Sequence, residues 1–358
     1  MNPFSRIILQ WYSENARDLP WRRTRDPYAV WLSEIILQQT RIAQGTAYWH
    51  RFMDRFPTVK DLADASEDEV LRLWEGLGYY SRARNLHAAA RQIVAEGGFP
   101  ETLEGIRKLK GVGDYTAAAI GSICFDLPAA VVDGNVYRVL ARHFGLTTPV
   151  GTTEAKKEFT KLANQLLPAG SPAQFNQGMM DFGAMQCTPA NPDCLTCPLQ
   201  ATCNAFRTGR VEMLPVKKPA IKVQERHFSY IYVRCNGYTA IRKRGPGDIW
   251  QGLYEPLVTS PTAEGNYFSG RCPKNQFPSA IAKPTHNNCH SEQSEESAVL
   301  IKSGVKHQLT HRTLLTDFYL WEPDVRPELP EGYIWIKETE LDRYAKPRLF
   351  ELLLEVLP

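Results

Sequence analysis

Four cysteines, Cys187, Cys194, Cys197 and Cys203, fall within 17 residues at the spacing C-x6-C-x2-C-x5-C. A chain with no targeting segment is expected in a reducing compartment, where disulfides are rare, so a tight thiol group reads as a metal or cluster site. Zinc sites usually pair two CxxC-like knuckles, and this spacing holds only one. Four thiolates on a short irregular loop suit a 4Fe–4S cube, whose reach exceeds that of a single ion. Pro189, Pro192 and Pro198 interrupt helix and let the loop wrap. Zinc, or a cysteine-rich loop without metal, stays open on spacing alone. Cys124, Cys235, Cys272 and Cys289 are scattered and read as buried small hydrophobes or surface thiols.

Two carboxylates come next. In YAVWLSEIILQQTRI, residues 28–42, Leu32, Ile35, Ile36 and Ile42 mark an apolar helical stripe, and Glu34 lies among them. A carboxyl partly buried there has a raised pKa and serves as a general acid near neutrality; the plainer alternative is a solvated helix face. In AAVVDGNVYRVLARHFG an apolar run stops at Asp133 just before a helix. Asp133 is then an N-cap, an anion able to steady a nearby cation, or both. Hydrolysis of a glycosidic bond needs such a pair, one to donate a proton and one to stabilise the oxocarbenium-like state.

LKGVGDYTA, residues 109–117, reads as a helix end, a turn and a new helix. Gly111 and Gly113 are expected to take backbone conformations closed to other residues. The helix start after them offers free amides to a phosphate oxygen, and Lys108 and Lys110 add charge. An ordinary helix–turn–helix corner is the competing reading.

The elements that position these groups divide in two. Helical periodicity covers 5–14, 29–43, 46–55, 67–75, 82–96, 102–109, 114–124, 134–144, 154–167 and 173–183. Residues 208–225, with two prolines and little periodicity, read as a linker. Strand patterns follow at 227–234, 238–242, 314–321 and 333–336, with a last helix over 338–356. The stretch 261–298 is rich in Ser, Asn, Gln, Pro and Glu and reads as an irregular insertion. An all-helical domain, 1–207, thus precedes a smaller α+β domain, 226–358. With 43% apolar and 23% charged residues the chain supports sizeable cores rather than disorder. No run of 18 apolar residues marks a membrane helix and no signal peptide is seen, so a cytoplasmic setting is expected. A net charge of +3 is too small to identify a nucleic-acid partner by itself.

WLSEIILQQT, LWEGLGYYSRARNL, LKGVGDYTA, VVDGNVYRVLAR, FNQGMMDFGAMQC and the cysteine loop occur in this order. Together they resemble MutY-type adenine DNA glycosylases of the endonuclease III-like helix–hairpin–helix superfamily. The resemblance is dense over 15–205 and thinner beyond, where GPGDIWQGLYEPL resembles the family's C-terminal Nudix-like domain. It implies a 4Fe–4S cluster on the four cysteines. It also implies excision of adenine mispaired with 8-oxoguanine or guanine in double-stranded DNA, the base being rotated out of the duplex. Glu34 would then protonate adenine and help activate water, Asp133 would stabilise the sugar cation, and Tyr115 and Asn135 would support them. Gln39, a polar break on the apolar stripe of its helix, and Tyr79 would occupy the duplex near the lesion. Gly111 and Gly113 would hold a phosphate, with Arg82, Arg84, Arg138 and Arg142 as backbone neighbours or solvated helix faces.

Bifunctional relatives place a lysine where this chain has Tyr115; without that amine the Schiff-base route to strand cleavage is lost, so a monofunctional glycosylase with at most weak lyase activity is expected. VKHQLTHRTLL resembles the family's loop that reads 8-oxoguanine, with Leu309-Thr310-His311 in place of Phe-Ser-His; Thr310 and His311 keep the hydroxyl and imidazole. No catalytic Nudix box follows Gly252, and Glu292, Glu295 and Glu296 have no arginine partner, so pyrophosphate hydrolysis is not expected. A glycosylase–lyase for oxidised pyrimidines and a DNA-binding iron–sulfur scaffold are the remaining alternatives; Tyr115 opposes the first and the pair Glu34 and Asp133 the second. The expected protein is a monomer acting on DNA in the cytoplasm, associated with the nucleoid.

Overall fold

The computed structural model describes residues 1–218, 223–259 and 298–358. They form two compact units: Met1–Ala65 with Arg84–Ala220, and Ser66–Ala83 with Ile221–Pro358. The division does not follow chain order, because the segment Ser66–Ala83 groups with the second unit. Its ties there include Arg72 Nη1 donating to the Asp342 carbonyl at 3.1 Å and the Lys346 amide donating to Glu75 Oε1 at 3.1 Å.

The helices are α1 (Pro3–Asn15), α2 (Pro27–Ile36), α3 (Ile42–Arg55), α4 (Val59–Asp64), α5 (Glu67–Leu73), α6 (Ser81–Ala95) and α7 (Leu103–Lys108). They continue with α8 (Asp114–Phe125), α9 (Gly134–Phe144), α10 (Thr153–Leu166), α11 (Pro172–Met185) and α12 (Asn204–Arg207). Their starts are set locally. Side chains of Asn2, Asp26, Thr102, Asp133 and Thr152 accept from first-turn amides, and Thr58 with Asp61 forms a capping box. Ile8, Val139, Phe159, Phe175, Met179 and Phe182 build a core joining α1, α9, α10 and α11. A smaller cluster of Val30, Ala118, Ala119 and Ile123 joins α2 to α8. These two cores fix the ends of α2, α8, α9 and α11 that carry the site.

The stretch 29–43, expected as one helix, is broken: α2 ends at Ile36 and α3 starts at Ile42. Gln39 lies between them, exposed, at φ +57°, so it sits in a turn and not on a helical stripe. Leu37 and Ile42 stay partly buried on either side, so the apolar period runs across a break in the backbone. The short helices α4 and α12 escape a periodicity reading because they hold too few turns to show one. The expected linker 208–225 is partly packed onto the first unit, where Leu214 is buried in its core and the Val150 amide donates to the Val216 carbonyl at 2.8 Å.

The second unit carries β1 (Gln224–Cys235), β2 (Tyr238–Lys243), β3 (Tyr254–Glu255), β4 (Leu257–Thr259), β5 (Val299–Gln308), β6 (Arg312–Trp321), β7 (Tyr333–Lys337) and α13 (Arg348–Leu354). The main strand order is β3-β2-β1-β6-β5, with β4 also on β1 and β7 on β2. The sheet is mixed: β1 and β6 run parallel from Gln224↔Arg312 to Val233↔Trp321, and the other pairs are antiparallel. Phe228, Tyr230, Tyr232 and Phe318 pack on Leu349, Phe350 and Leu353 of α13. The expected helix 338–356 is split into a 3-10 turn, Glu338–Arg343, and α13, with Pro347 between them as the α13 cap; proline has no N–H and disfavours helix at the residue before it. Strand β5 borders the polar tract and was not expected. Of the insertion 261–298 only Ala298 is described; the rest, with Cys272, Cys289, Glu292, Glu295 and Glu296, lies outside the described residues. Among the described residues no helix is long and apolar enough to cross a membrane.

Candidate active site

A cavity of about 590 Å³ in the first unit brings Glu34, Tyr115, Asp133 and Asn135 onto one wall system, a size suited to a small organic ligand. Glu34 projects from the last turn of α2 and is half-buried. Burial pushes its carboxyl up to about 7; a hydrogen bond from Tyr115 opposes the rise, the Asp133 charge adds to it, and Arg22 opposes it. The Tyr115 hydroxyl also lies 3.6 Å from Met180 Sδ. Burial raises this phenol well above its usual range, with Glu34 and Asp133 adding to the effect, so Tyr115 is a proton donor to its neighbours.

Asp133 is both an N-cap and a wall of the cavity. Its Oδ1 accepts from the Val136 amide at 2.8 Å and its Oδ2 from Asn135 Nδ2 at 2.8 Å. Burial raises its carboxyl, and these hydrogen bonds hold it back. The two carboxyl groups therefore differ in what surrounds them. Glu34 faces apolar burial and one phenol; Asp133 is held by an amide and a carboxamide that favour its anion. A carboxyl that keeps its proton up to about pH 7 and a second carboxyl held by hydrogen-bond donors, on one cavity, resemble the pair that glycosidic hydrolysis uses.

Sequence reasoning missed Arg17, Arg22 and Gln177, which line the same cavity, and Asp181 behind them. Asp181 is fully buried and accepts from both arginines. The signal was present: an aspartate inside the apolar run MMDFGAM demands a cationic partner, and the arginines of DLPWRR and ENARD supply it.

The descriptions matched by the chain are "HhH-GPD superfamily base excision DNA repair protein" over residues 32–165 and "NUDIX domain" over 229–356. An adenine DNA glycosylase of Buchnera aphidicola subsp. Acyrthosiphon pisum is 35% identical over 254 residues, covering 70% of this chain and 73% of that protein. The chain belongs to the MutY-type adenine DNA glycosylase family. The rat adenine DNA glycosylase is 45% identical over 226 residues, 59% of this chain but 44% of its own length; the match thus spans less than half of that relative. Among solved structures, a thermostable thymine-DNA glycosylase superposes with TM-score 0.53 at 31% identity, covering 57% of this chain and 95% of that one. A non-covalent endonuclease III–DNA complex gives TM-score 0.50 at 22% identity over 57% and 94%, a likeness of fold.

The cysteine loop is held from below by α9. Arg138 Nε donates to the Cys187 carbonyl at 2.7 Å, and Arg142 donates to the carbonyls of Thr188, Pro189, Val211 and Leu214 and to Cys187 Sγ at 3.5 Å. Both arginines are buried, at 8% and 3% exposure, so neither is a neighbour of the DNA backbone nor a solvated face. Burial raises the thiols of Cys187, Cys194 and Cys197, the last to about 11; Arg142 and Arg138 hold Cys187 back, and Cys203 adds to the rise at each. Cys187, Cys194, Cys197 and Cys203 are free thiols, with no disulfide among them. Among the described residues no three His, Cys, Asp or Glu side chains converge tightly enough to hold a single ion. Four free thiols over a buried arginine pair have the donor chemistry of an all-cysteine cluster site. Cys124 is half-buried and Cys235 buried.

In the hairpin, Gly111 has φ +76°, and a Cβ there would meet Asn85 Cβ at 2.6 Å. Gly113 differs from expectation: at φ −96°, ψ −179° its backbone is ordinary extended chain. A Cβ on Gly113 would meet nothing within 4 Å, so its smallness leaves room outside the chain, at the start of α8. Lys108 is paired with Glu104 at 2.8 Å. Gln39 lines the cavity from its turn. In the second unit Tyr79, at φ +47° and 48% exposed, hydrogen-bonds through its hydroxyl with Thr310 Oγ1. Arg82 donates to the Leu77 and Gly78 carbonyls at 3.3 Å and lies over the Tyr79 ring, so it holds the turn that presents this tyrosine. Thr310 and His311 are both exposed in the tight turn between β5 and β6, closed by the Leu309 amide on the Arg312 carbonyl at 2.7 Å.

Proposed function

We propose that this chain removes adenine mispaired with 8-oxoguanine or guanine from double-stranded DNA by hydrolysing its N-glycosidic bond, and does not cut the strand. The observation that carries this reading is the pairing of Glu34, titrating at about 7, with the hydrogen-bonded Asp133 on one cavity. The adenine is rotated into the cavity. Glu34 gives its proton to a ring nitrogen of the base. The glycosidic electron pair leaves with the base, and the sugar becomes oxocarbenium-like beside the Asp133 carboxylate. Water adds to the sugar carbon, and its proton passes to the Glu34 carboxylate, restoring the acid. Tyr115 supplies no amine, so no Schiff base forms and the strand stays intact.

The start of α8, with the open space at Gly113, receives a phosphate of the DNA backbone. Gln39 and Tyr79 enter the duplex near the lesion, and Thr310 with His311 contacts the 8-oxoguanine. Cys187, Cys194, Cys197 and Cys203 would hold a 4Fe–4S cluster, which when bound cross-links the loop that α9 carries. The enzyme acts as a monomer in the cytoplasm, on the nucleoid.

The test is single-turnover excision on duplexes with adenine opposite 8-oxoguanine, guanine and thymine, plus a thymine glycol duplex. Adenine release fastest opposite 8-oxoguanine and lost in Glu34→Gln is the expected result. Strand cleavage at thymine glycol without adenine release would overturn the reading in favour of a bifunctional lyase. DNA binding without turnover on any duplex would favour a scaffold role.

A further inference from the structure

We propose that Asp181 is a positioning residue for base excision: it fixes Arg17 and Arg22 on the cavity wall and sets the charge that Glu34 meets there. The inference rests on the assignment of Glu34 as the proton donor.

Asp181 stands on α11, fully buried, and does not line the cavity; the two arginines do. Its Oδ1 accepts from Arg17 Nε at 2.8 Å, Arg17 Nη2 at 2.5 Å and Arg22 Nη2 at 2.8 Å. Its Oδ2 accepts from Arg22 Nη1 at 2.6 Å and the Arg17 amide at 3.1 Å. The carboxylate therefore accepts five hydrogen bonds, four of them from the two guanidinium groups, which restrains both side chains. A tie between two elements would need one such arginine. Here two converge on one anion, which leaves one net positive charge on the wall of the cavity.

That charge is felt by Glu34. The groups acting on Glu34 are Tyr115 from α8, Asp133 at the start of α9, and Arg22. The groups acting on Arg22 are Asp181, Tyr12 and Glu34 itself. Arg22 favours the Glu34 anion, and Asp181 is the foremost charge acting on Arg22 itself, so removing it would leave that cation uncompensated. Tyr12 extends the frame: its hydroxyl donates to Gln177 Oε1 at 2.6 Å, its ring lies 5.9 Å from the Arg22 guanidinium, and Gln177 lines the same cavity. A base entering the cavity would meet a wall of Arg17, Arg22 and Gln177 whose side chains are held before it arrives, so little ordering is left to the binding step.

The two halves of the ion pair should shift the reaction in opposite directions. Asp181→Asn leaves Arg22 uncompensated, favours the Glu34 anion, and should move the alkaline limb of the single-turnover pH–rate profile down by about one unit. Arg22→Gln removes the cation and should move the same limb up. Asp181→Glu, which keeps the charge, should restore the wild-type limb. Melting temperature and circular dichroism report folding for each variant. Folded Asp181→Asn and Arg22→Gln proteins with an unmoved limb and only a lower melting temperature would overturn the proposal, leaving a structural tie. If Asp181→Asn does not fold, the absence of an upward shift in Arg22→Gln overturns it alone. Glu34→Gln separates the two readings. Loss of excision in Glu34→Gln with unmoved limbs in the other variants sinks only the role of Asp181. Undiminished excision in Glu34→Gln sinks the acid assignment on which it rests.

Discussion

Asn135 joins Asp133 to the underside of the cysteine loop: its Nδ2 donates to Asp133 Oδ2 at 2.8 Å, and its Oδ1 accepts from Arg138 Nη2 at 2.8 Å. Arg138 in turn donates to the Gly183 carbonyl at 2.5 Å and the Cys187 carbonyl at 2.7 Å. The carboxamide orients the anion from one side while the Val136 amide does so from the other. Asn135→Ala should therefore lower the single-turnover excision rate about 10- to 100-fold, the worth of one hydrogen bond to a charged group. Duplex affinity, measured by fluorescence anisotropy, should stay near wild type. An unchanged rate would mean that the Val136 amide alone suffices to hold Asp133.

The buried acid makes stability depend on pH in a particular direction. Glu34 titrates at about 7 in the folded protein against 4.5 for the free side chain. The folded state therefore holds this proton more tightly than the unfolded one. The stabilisation is fully present below about pH 4.5 and is lost as pH rises through about 7. At pH 8 the ionised Glu34 costs up to about 3 kcal/mol. Glu34→Gln should thus be inactive yet more stable than wild type at pH 8, with the gain vanishing near pH 4.5. Urea denaturation at the two pH values measures the difference, and equal gains at both would show that Glu34 does not titrate near 7.

Arg142 offers a test of the loop. Its guanidinium reaches four backbone carbonyls and one sulfur at 2.7–3.5 Å from a single fork. Lysine presents one compact ammonium and cannot span them. Arg142→Lys should cost about 3 kcal/mol or more by leaving buried carbonyls unpaired, and the purified protein should carry less iron per chain. Full iron content with wild-type melting behaviour would show that the loop is held by its own turns.

The proposed mechanism makes position 115 the one that decides between hydrolysis and strand cleavage. The wild-type chain should give no borohydride-trapped covalent complex with an adenine-containing duplex. Tyr115→Lys places an amine beside Glu34 and Asp133 and should yield such a complex on denaturing gels, at a lower excision rate because the hydrogen bond from Tyr115 to Glu34 is gone. A strong trap with the wild-type protein would overturn the monofunctional assignment.

The turn between β5 and β6 should act on lesion preference and not on chemistry. The double variant Thr310→Ala, His311→Ala removes two exposed groups, so its melting temperature should stay within about 2 °C of wild type, in line with surface substitutions. The ratio of excision opposite 8-oxoguanine to that opposite guanine should fall about tenfold. A ratio equal to wild type would remove the lesion contact from this turn.

Much of this protein is legible along the chain because the physics concerned is local. Caps at Asp26, Thr58, Thr102 and Thr152 start helices through bonds made within three residues. The spacing of Cys187, Cys194, Cys197 and Cys203 marks a candidate cluster site, whereas the helix around Glu34 reads equally as a solvated face, and only the family resemblance singles it out. What spacing cannot carry is the partner that folding brings from far away. Arg22 and Asp181 are 159 residues apart, and Tyr79 and Thr310 are 231; nothing in either local pattern names the other. The same holds for Arg138 and Arg142, which read as surface charges until the cysteine loop covers them. Backbone conformation is also withheld, as with Gln39 in a turn where periodicity runs on, and with Gly113 in extended chain. The sequence thus names candidate acids and thiols but not Arg17, Arg22, Gln177 or Asp181 around them; protonation, orientation and company are decided by burial and long-range hydrogen bonding, which exist only in the folded chain.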